Sequence, residues 1–175
     1  IGCGSYALKA HLKAIDEAQQ NKLCKLFAIV DFPEEERKPK HKKGIKGYKN
    51  IKGYDYINIP GEWKTKIPAS EEVSSHLNQL REELKSYKNI GVIISTWETV
   101  HEPYIRWALK NGYHVIVDKP LTVPEKCSLD VEAVRELVKD YKKLLKLSEK
   151  KKVLFMLAAQ KRYSGLFRVI ANEIP

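Results

Sequence analysis

Gly2, Gly4 and Ala7 are spaced G-x-G-x-x-A, and the segment they open carries Leu8, Leu12 and Ile15 on one helical stripe. A turn of that composition running into a helix suits a diphosphate. The first glycine permits a tight turn, the second lets the backbone approach the phosphates, and the small third residue lets helix and strand pack. A helix start adds N–H donors and positive potential, so Gly2, Cys3, Gly4, Ser5 and Tyr6 are candidate cofactor contacts. Asp31 ends the next apolar run, 24 residues beyond Ala7. A carboxylate there can accept both hydroxyls of an adenosine ribose and would repel a 2′-phosphate, which favours NAD over NADP while leaving NADP open. Taken alone, Asp31 could also be an ordinary polar residue beside a loop.

Three further polar clusters follow apolar runs. Ser95, Thr96, Trp97, Glu98 and His101 come after Ile-Gly-Val-Ile-Ile, Asp118-Lys119-Pro120 after Tyr-His-Val-Ile-Val, and Arg162-Tyr163 after residues 153–159. In an open parallel sheet the carboxyl ends of the strands border the ligand crevice, so polar residues there are well placed to bind. His101 could instead cap the helix that Pro103 opens, and Arg162 could be a surface arginine. Lys119 is harder to set aside. An amine directly after a buried strand must be held near water, an anion or a substrate.

These residues need elements to position them. Apolar runs at residues 23–30, 90–95, 113–117 and 153–157 read as strands covered on both faces. Helical periods fill the gaps: 7–20; 71–87 with Ser70 as N-cap; 103–111 stopped by Gly112; and 130–147 with Val131, Val134, Leu137, Val138, Tyr141, Leu144 and Leu145 on its apolar stripe. Strand alternating with helix predicts a doubly wound α/β fold with a parallel sheet and right-handed crossovers.

Residues 33–68 break the pattern, holding four prolines and four glycines with no helical period; a short strand at 54–59 is the one element expected there. Seven lysines and no acid lie between residues 38 and 52, which takes much of the +10 net charge. The run reads as a solvated, mobile segment adding little to the core. The alternative is an anion-binding patch, since Lys and Tyr interleave in the repeat Ile45-Lys46-Gly47-Tyr48 and Ile51-Lys52-Gly53-Tyr54. Such a patch would take nucleic acid or acidic ligands, and nucleic acid is the disfavoured partner.

At 175 residues the chain is sized for one domain, and no apolar run approaches the ~18 residues of a membrane span. Three cysteines without CxxC spacing support neither a disulfide framework nor a metal site, and the expected compartment is the cytoplasm. The glycine turn has almost no strand before it, and residues 164–175 look like the start of a linker helix. The chain therefore reads as a fragment, with residues 1–163 a dinucleotide-binding domain.

The sequence resembles the N-terminal half of the glucose–fructose oxidoreductase / inositol dehydrogenase (Gfo/Idh/MocA) family. The family's glycine turn matches Gly2, Gly4 and Ala7. Its Thr-Pro-Asn-x-x-His segment and following helix match Thr96, His101, Ala108, Leu109 and Gly112. Its Glu-Lys-Pro signature matches Asp118-Lys119-Pro120, and its later Arg-Phe/Tyr matches Arg162-Tyr163. Trp97 and Glu98 replace the usual Pro-Asn, and Asp118 shortens the usual Glu. The resemblance implies a Rossmann domain binding NAD(P), with Thr96, Trp97, Glu98, His101, Asp118, Lys119 and Arg162 joining the glycine turn and Asp31 around the cofactor. Lys119 would be the catalytic residue, beside nicotinamide and substrate, and the peptide before Pro120 is often cis. It further implies an oxidoreductase moving hydride between NAD(P) and a sugar, cyclitol or related hydroxy/keto compound. A C-terminal α/β domain outside this chain would complete the site and mediate homo-oligomerisation, leaving the fragment inactive alone. The competing reading is a non-catalytic dinucleotide sensor on the same scaffold.

Overall fold

The structure, a computed structural model, describes residues 1–33, 45–123 and 131–159. β1 (Ala28–Asp31) pairs with β2 (Asp55–Asn58), and β3 (Gly91–Ile94), β4 (His114–Asp118) and β5 (Phe155–Ala158) form a second sheet; every pairing is parallel. Two residues join the sheets. Gly2 donates its N–H to the Val30 carbonyl and Ser95 donates to the Ile1 carbonyl, both at 2.8 Å, while the Ile1 amino group donates to the Ile93 carbonyl at 2.6 Å. The spatial order is thus β2–β1–Ile1/Gly2–β3–β4–β5, the doubly wound order with the glycine turn at its switch point.

The strands alternate faces as their period of two requires. Val30, Val92, Ile94, Val115 and Val117 face the main core, together with Leu77, Tyr104, Ile105, Trp107, Leu109 and Leu144. Ile29 turns the other way, into a second cluster with Cys3, Leu8, Leu12, Ile45 and Ile51. β1 covers less than its apolar run predicts: the strand is confined to four residues, and Leu23 is exposed just beyond the positive-φ turn at Lys22.

The helix expected over 7–20 is bent into α1 (Ser5–Lys9) and α2 (His11–Gln20). The Tyr48 hydroxyl bonds the Leu8 carbonyl, which an unbroken helix would offer to the N–H of Leu12; such an insertion bends helices. The next helix is likewise two pieces, α3 (Ser70–His76) and α4 (Asn78–Leu84). Ser70 is its first helical residue and not its cap; the Glu72 carboxylate reaches back to accept the Ala69 N–H at 2.7 Å. α5 (His101–Lys110) is as expected, with Gly112 at positive φ behind it. α6 (Val131–Lys151) departs from the sequence reading, since Val131, Val134, Val138 and Tyr141 are exposed and burial falls on Leu144 and Ser148. Its 21 residues run about 31 Å against about 15 Å for α5, on which it packs, so its first half overhangs.

Within residues 45–68, the segment expected to be mobile packs instead. Ile45 and Ile51 are 7% and 6% exposed in the second cluster, and Ile59 and Trp63 enter the main core. Asn50 ties the segment to α2, donating its backbone N–H to Asp16 at 2.7 Å. The apolar residues among the lysines override the composition. The expected short strand is β2. Residues 34–44 and the expected linker at 164–175 lie outside the described residues.

Candidate nucleotide-binding site

A cavity of about 660 Å³ opens at the carboxyl ends of the strands. The glycine turn forms its floor. Gly2 sits at φ +77°, and a Cβ there would stand 2.7 Å from the Ser95 backbone and 2.8 Å from Thr96 Cγ2. That glycine is required by the protein itself, both for its backbone angle and for the approach of the turn to the end of β3. Gly4 differs, because a Cβ there would meet nothing within 4 Å. Its missing side chain leaves room in the cavity, where α1 begins at Ser5.

Asp31 closes the β1 side. One carboxylate oxygen accepts the Cys3 N–H at 3.0 Å and the other accepts the Phe32 N–H at 2.9 Å, so strand end and glycine turn are tied together. Phe32, Ile59, Trp63 and Tyr104 make the neighbouring wall apolar and aromatic, with the Lys64 ammonium 5.3 Å from the Phe32 ring centre. Burial pushes the Tyr104 hydroxyl well above the ordinary tyrosine range, and the Asp31 charge adds to the shift.

The opposite wall comes from the ends of β3 and β4. Ser95, Thr96, Trp97, Asp118 and Lys119 all line the cavity. Trp97 is 62% exposed, a large ring held at the rim. The Lys119–Pro120 peptide is cis, and the Lys119 side chain is exposed. Asp118 is committed inside the protein: His11 Nε2 lies 2.8 Å from Oδ1, and the Ser95 hydroxyl donates to Oδ2.

Over residues 1–158 the sequence matches the family described as oxidoreductase, NAD-binding Rossmann fold. The chain belongs to the Gfo/Idh/MocA oxidoreductase family. Solved structures agree on the fold. The WlbA (WbpB) dehydrogenase of Thermus thermophilus, crystallised with NAD and UDP-GlcNAcA, is 19% identical with a TM-score of 0.60, over 98% of this chain and 44% of its own. The WlbA dehydrogenase of Bordetella pertussis, with NADH and UDP-GlcNAcA, gives 16% and 0.57 over 99% and 37%. KijD10, a 3-ketoreductase from Actinomadura kijaniata crystallised with NADP, gives 17% and 0.57 over 98% and 39%. The chain thus spans about two-fifths of the length of these structures. No curated protein matches it.

The residues present fit the cofactor of the Gfo/Idh/MocA domain. The open space at Gly4 and the Asp31 carboxylate lie in one cavity at the switch point, where a diphosphate and a ribose would sit. Some residues expected to touch it are placed otherwise. His101 is 1% exposed; its Nε2 lies 3.1 Å from the Thr96 carbonyl and its Nδ1 3.0 and 3.1 Å from those of Pro120 and Leu121. It joins the two loops from beneath and does not line the cavity. Glu98 is exposed in the short turn before α5 and also lies outside the lining. Arg162 falls outside the described residues. Sequence reasoning missed His11 and Trp63. His11 is the polar residue at the start of the second helical piece, and Trp63 lay in a stretch read as irregular. Among the described residues, no group of acidic, His and Cys side chains is placed to hold a metal, and no helix is long and apolar enough to cross a membrane.

Proposed function

We propose that this chain binds NAD in the 660 Å³ cavity and forms the nucleotide-binding part of an oxidoreductase acting on a sugar, cyclitol or related hydroxy/keto compound. The observation that carries the reading is the sharing of one cavity by the Gly2–Gly4 turn, Asp31 and Lys119. The turn takes the diphosphate, Asp31 the adenosine ribose, and the aromatic wall of Phe32 and Trp63 the adenine. NAD supplies the hydride acceptor. Lys119 is the residue we assign to catalysis: its ammonium, at the cavity edge, steadies charge on the substrate oxygen. Cys3, Ser5, Tyr6, Thr96 and Trp97 make the remaining contacts.

The chain spans only about two-fifths of the length of the solved structures it resembles, and we assign substrate binding and homo-oligomerisation to the whole oxidoreductase and not to this cavity alone. Calorimetric titration of NAD and NADP into the chain tests the reading. Binding of NAD, abolished by Gly4→Val in a variant that still folds, supports it. Absence of dinucleotide binding to the native chain refutes it.

A further inference from the structure

His11 is the first residue of α2, and its bond to Asp118 joins positions 107 apart in sequence. The pair is well enclosed, with 14% of the His11 side chain and 12% of the Asp118 side chain exposed. The edge of the Tyr6 ring stands at 90° to the His11 ring, 5.3 Å between centres, so the imidazole is held from a second side. With Ser95 on the other carboxylate oxygen, both oxygens of Asp118 have partners within the protein.

The position of this bond gives it a consequence. Leu8 and Leu12, which flank His11, pack in the second cluster, whereas Val115 and Val117 of β4 belong to the main core. The His11–Asp118 bond crosses between the two clusters. On one side stands the glycine turn with Asp31; on the other, Asp118 is followed at once by Lys119. The bond thus links the seat of α1 and α2 to the backbone that carries the lysine.

We propose that His11 is a positioning residue. It donates its Nε2–H to Asp118, sets that carboxylate against Ser95, and thereby keeps the Lys119 amine at the cavity while the glycine turn holds a diphosphate. This rests on the dinucleotide reading of the cavity. His11 itself touches no ligand, which separates its effect from that of the binding residues.

The test follows the Lys119 amine directly, by mass-spectrometric mapping of acylation with an N-hydroxysuccinimide ester, with and without saturating NAD. In the native chain NAD shields Lys119. His11→Phe keeps the ring and its contact with Tyr6 but has no donor. It should bind NAD within about threefold of the native chain yet lose roughly tenfold or more of the shielding, the scale of a lost hydrogen bond to a charged group. His11→Gln, whose amide can donate, should restore shielding to within about twofold. Full shielding in His11→Phe, or no rescue by His11→Gln, overturns the proposal. Should His11→Phe not fold, Asp118→Leu, which keeps the bulk and removes the acceptor, decides, and unchanged shielding there overturns it equally. A native chain that fails to bind NAD refutes the dinucleotide reading and this inference with it, whereas NAD binding with intact shielding in His11→Phe refutes only the role of His11.

Discussion

Gly2 and Ser95 are packed so closely that a methyl group on Gly2 would lie 2.7 Å from the Ser95 carbonyl carbon and oxygen. This contact, with the Ser95 N–H on the Ile1 carbonyl, is where the two sheets meet. Gly2→Ala combines a positive φ with a backbone clash, and should destabilise the fold by at least about 2 kcal/mol. Gly4→Ala, with open space and φ −73°, should leave the melting temperature within a few degrees while weakening NAD binding about tenfold or more. Thermal denaturation and NAD titration of both variants check the contrast. Equal melting losses would show that the two glycines share one role.

Asp31 should govern the choice of dinucleotide. Asp31→Ser removes the charge that would repel a 2′-phosphate and the acceptor a ribose would use. NAD affinity should fall by about tenfold, the scale of hydrogen bonds to a charged group, and NADP affinity should hold or rise. Parallel titrations of both dinucleotides read the ratio. A native chain that prefers NADP contradicts the assignment.

Lys119→Ala should lower kcat of the whole oxidoreductase by ~10²–10³, as the loss of a preorganised charge does. NAD affinity should change only a few-fold, because the glycine turn holds the diphosphate. Lys119→Arg should not rescue, since a planar guanidinium does not replace a compact ammonium. Near-normal turnover in Lys119→Ala would remove the lysine from the mechanism.

Ile51 anchors the lysine-rich segment in the second cluster with Leu8, Leu12 and Ile29. Ile51→Ala should destabilise the chain by ~2–4 kcal/mol, whereas Lys49→Ala and Lys52→Ala should each stay within ~0.5 kcal/mol. Urea melts of the three variants separate an anchored segment from a loose one.

Tyr104 should make the fold sensitive to alkali. Its hydroxyl is held above the ordinary value of 10.0, first by burial and then by Asp31. Above pH ~10 the unfolded chain ionises this group while the folded chain keeps the proton, so its contribution is intact below that pH and is lost as pH rises. The slope from one such group is at most ~1.4 kcal/mol per pH unit. Tyr104→Phe should flatten the stability profile between pH 10 and 11.5 by about that amount, as denaturant melts at stepped pH would record.

Much of this protein is determined locally and was therefore legible in the sequence. Strand and helix periodicity depend on residues close together along the chain and led to the parallel α/β fold, and short motifs such as Gly2-x-Gly4-x-x-Ala7 and Asp118-Lys119-Pro120 carried the resemblance to the family. Tertiary structure decided the rest. Tyr48 bends the first helix from 40 residues away, Ile45 and Ile51 anchor a stretch whose lysines suggest mobility, and the overhang of α6 leaves Val131 and Val134 in water. At the site, strand ends and the family resemblance brought Asp118 and His101 forward; the structure puts His101 beneath the loops and pairs both oxygens of Asp118, which still lines the cavity, with His11 and Ser95. A sequence pattern reports which side a residue faces within its own element. Which carboxylate oxygen is already taken depends on groups that meet only when separate elements pack.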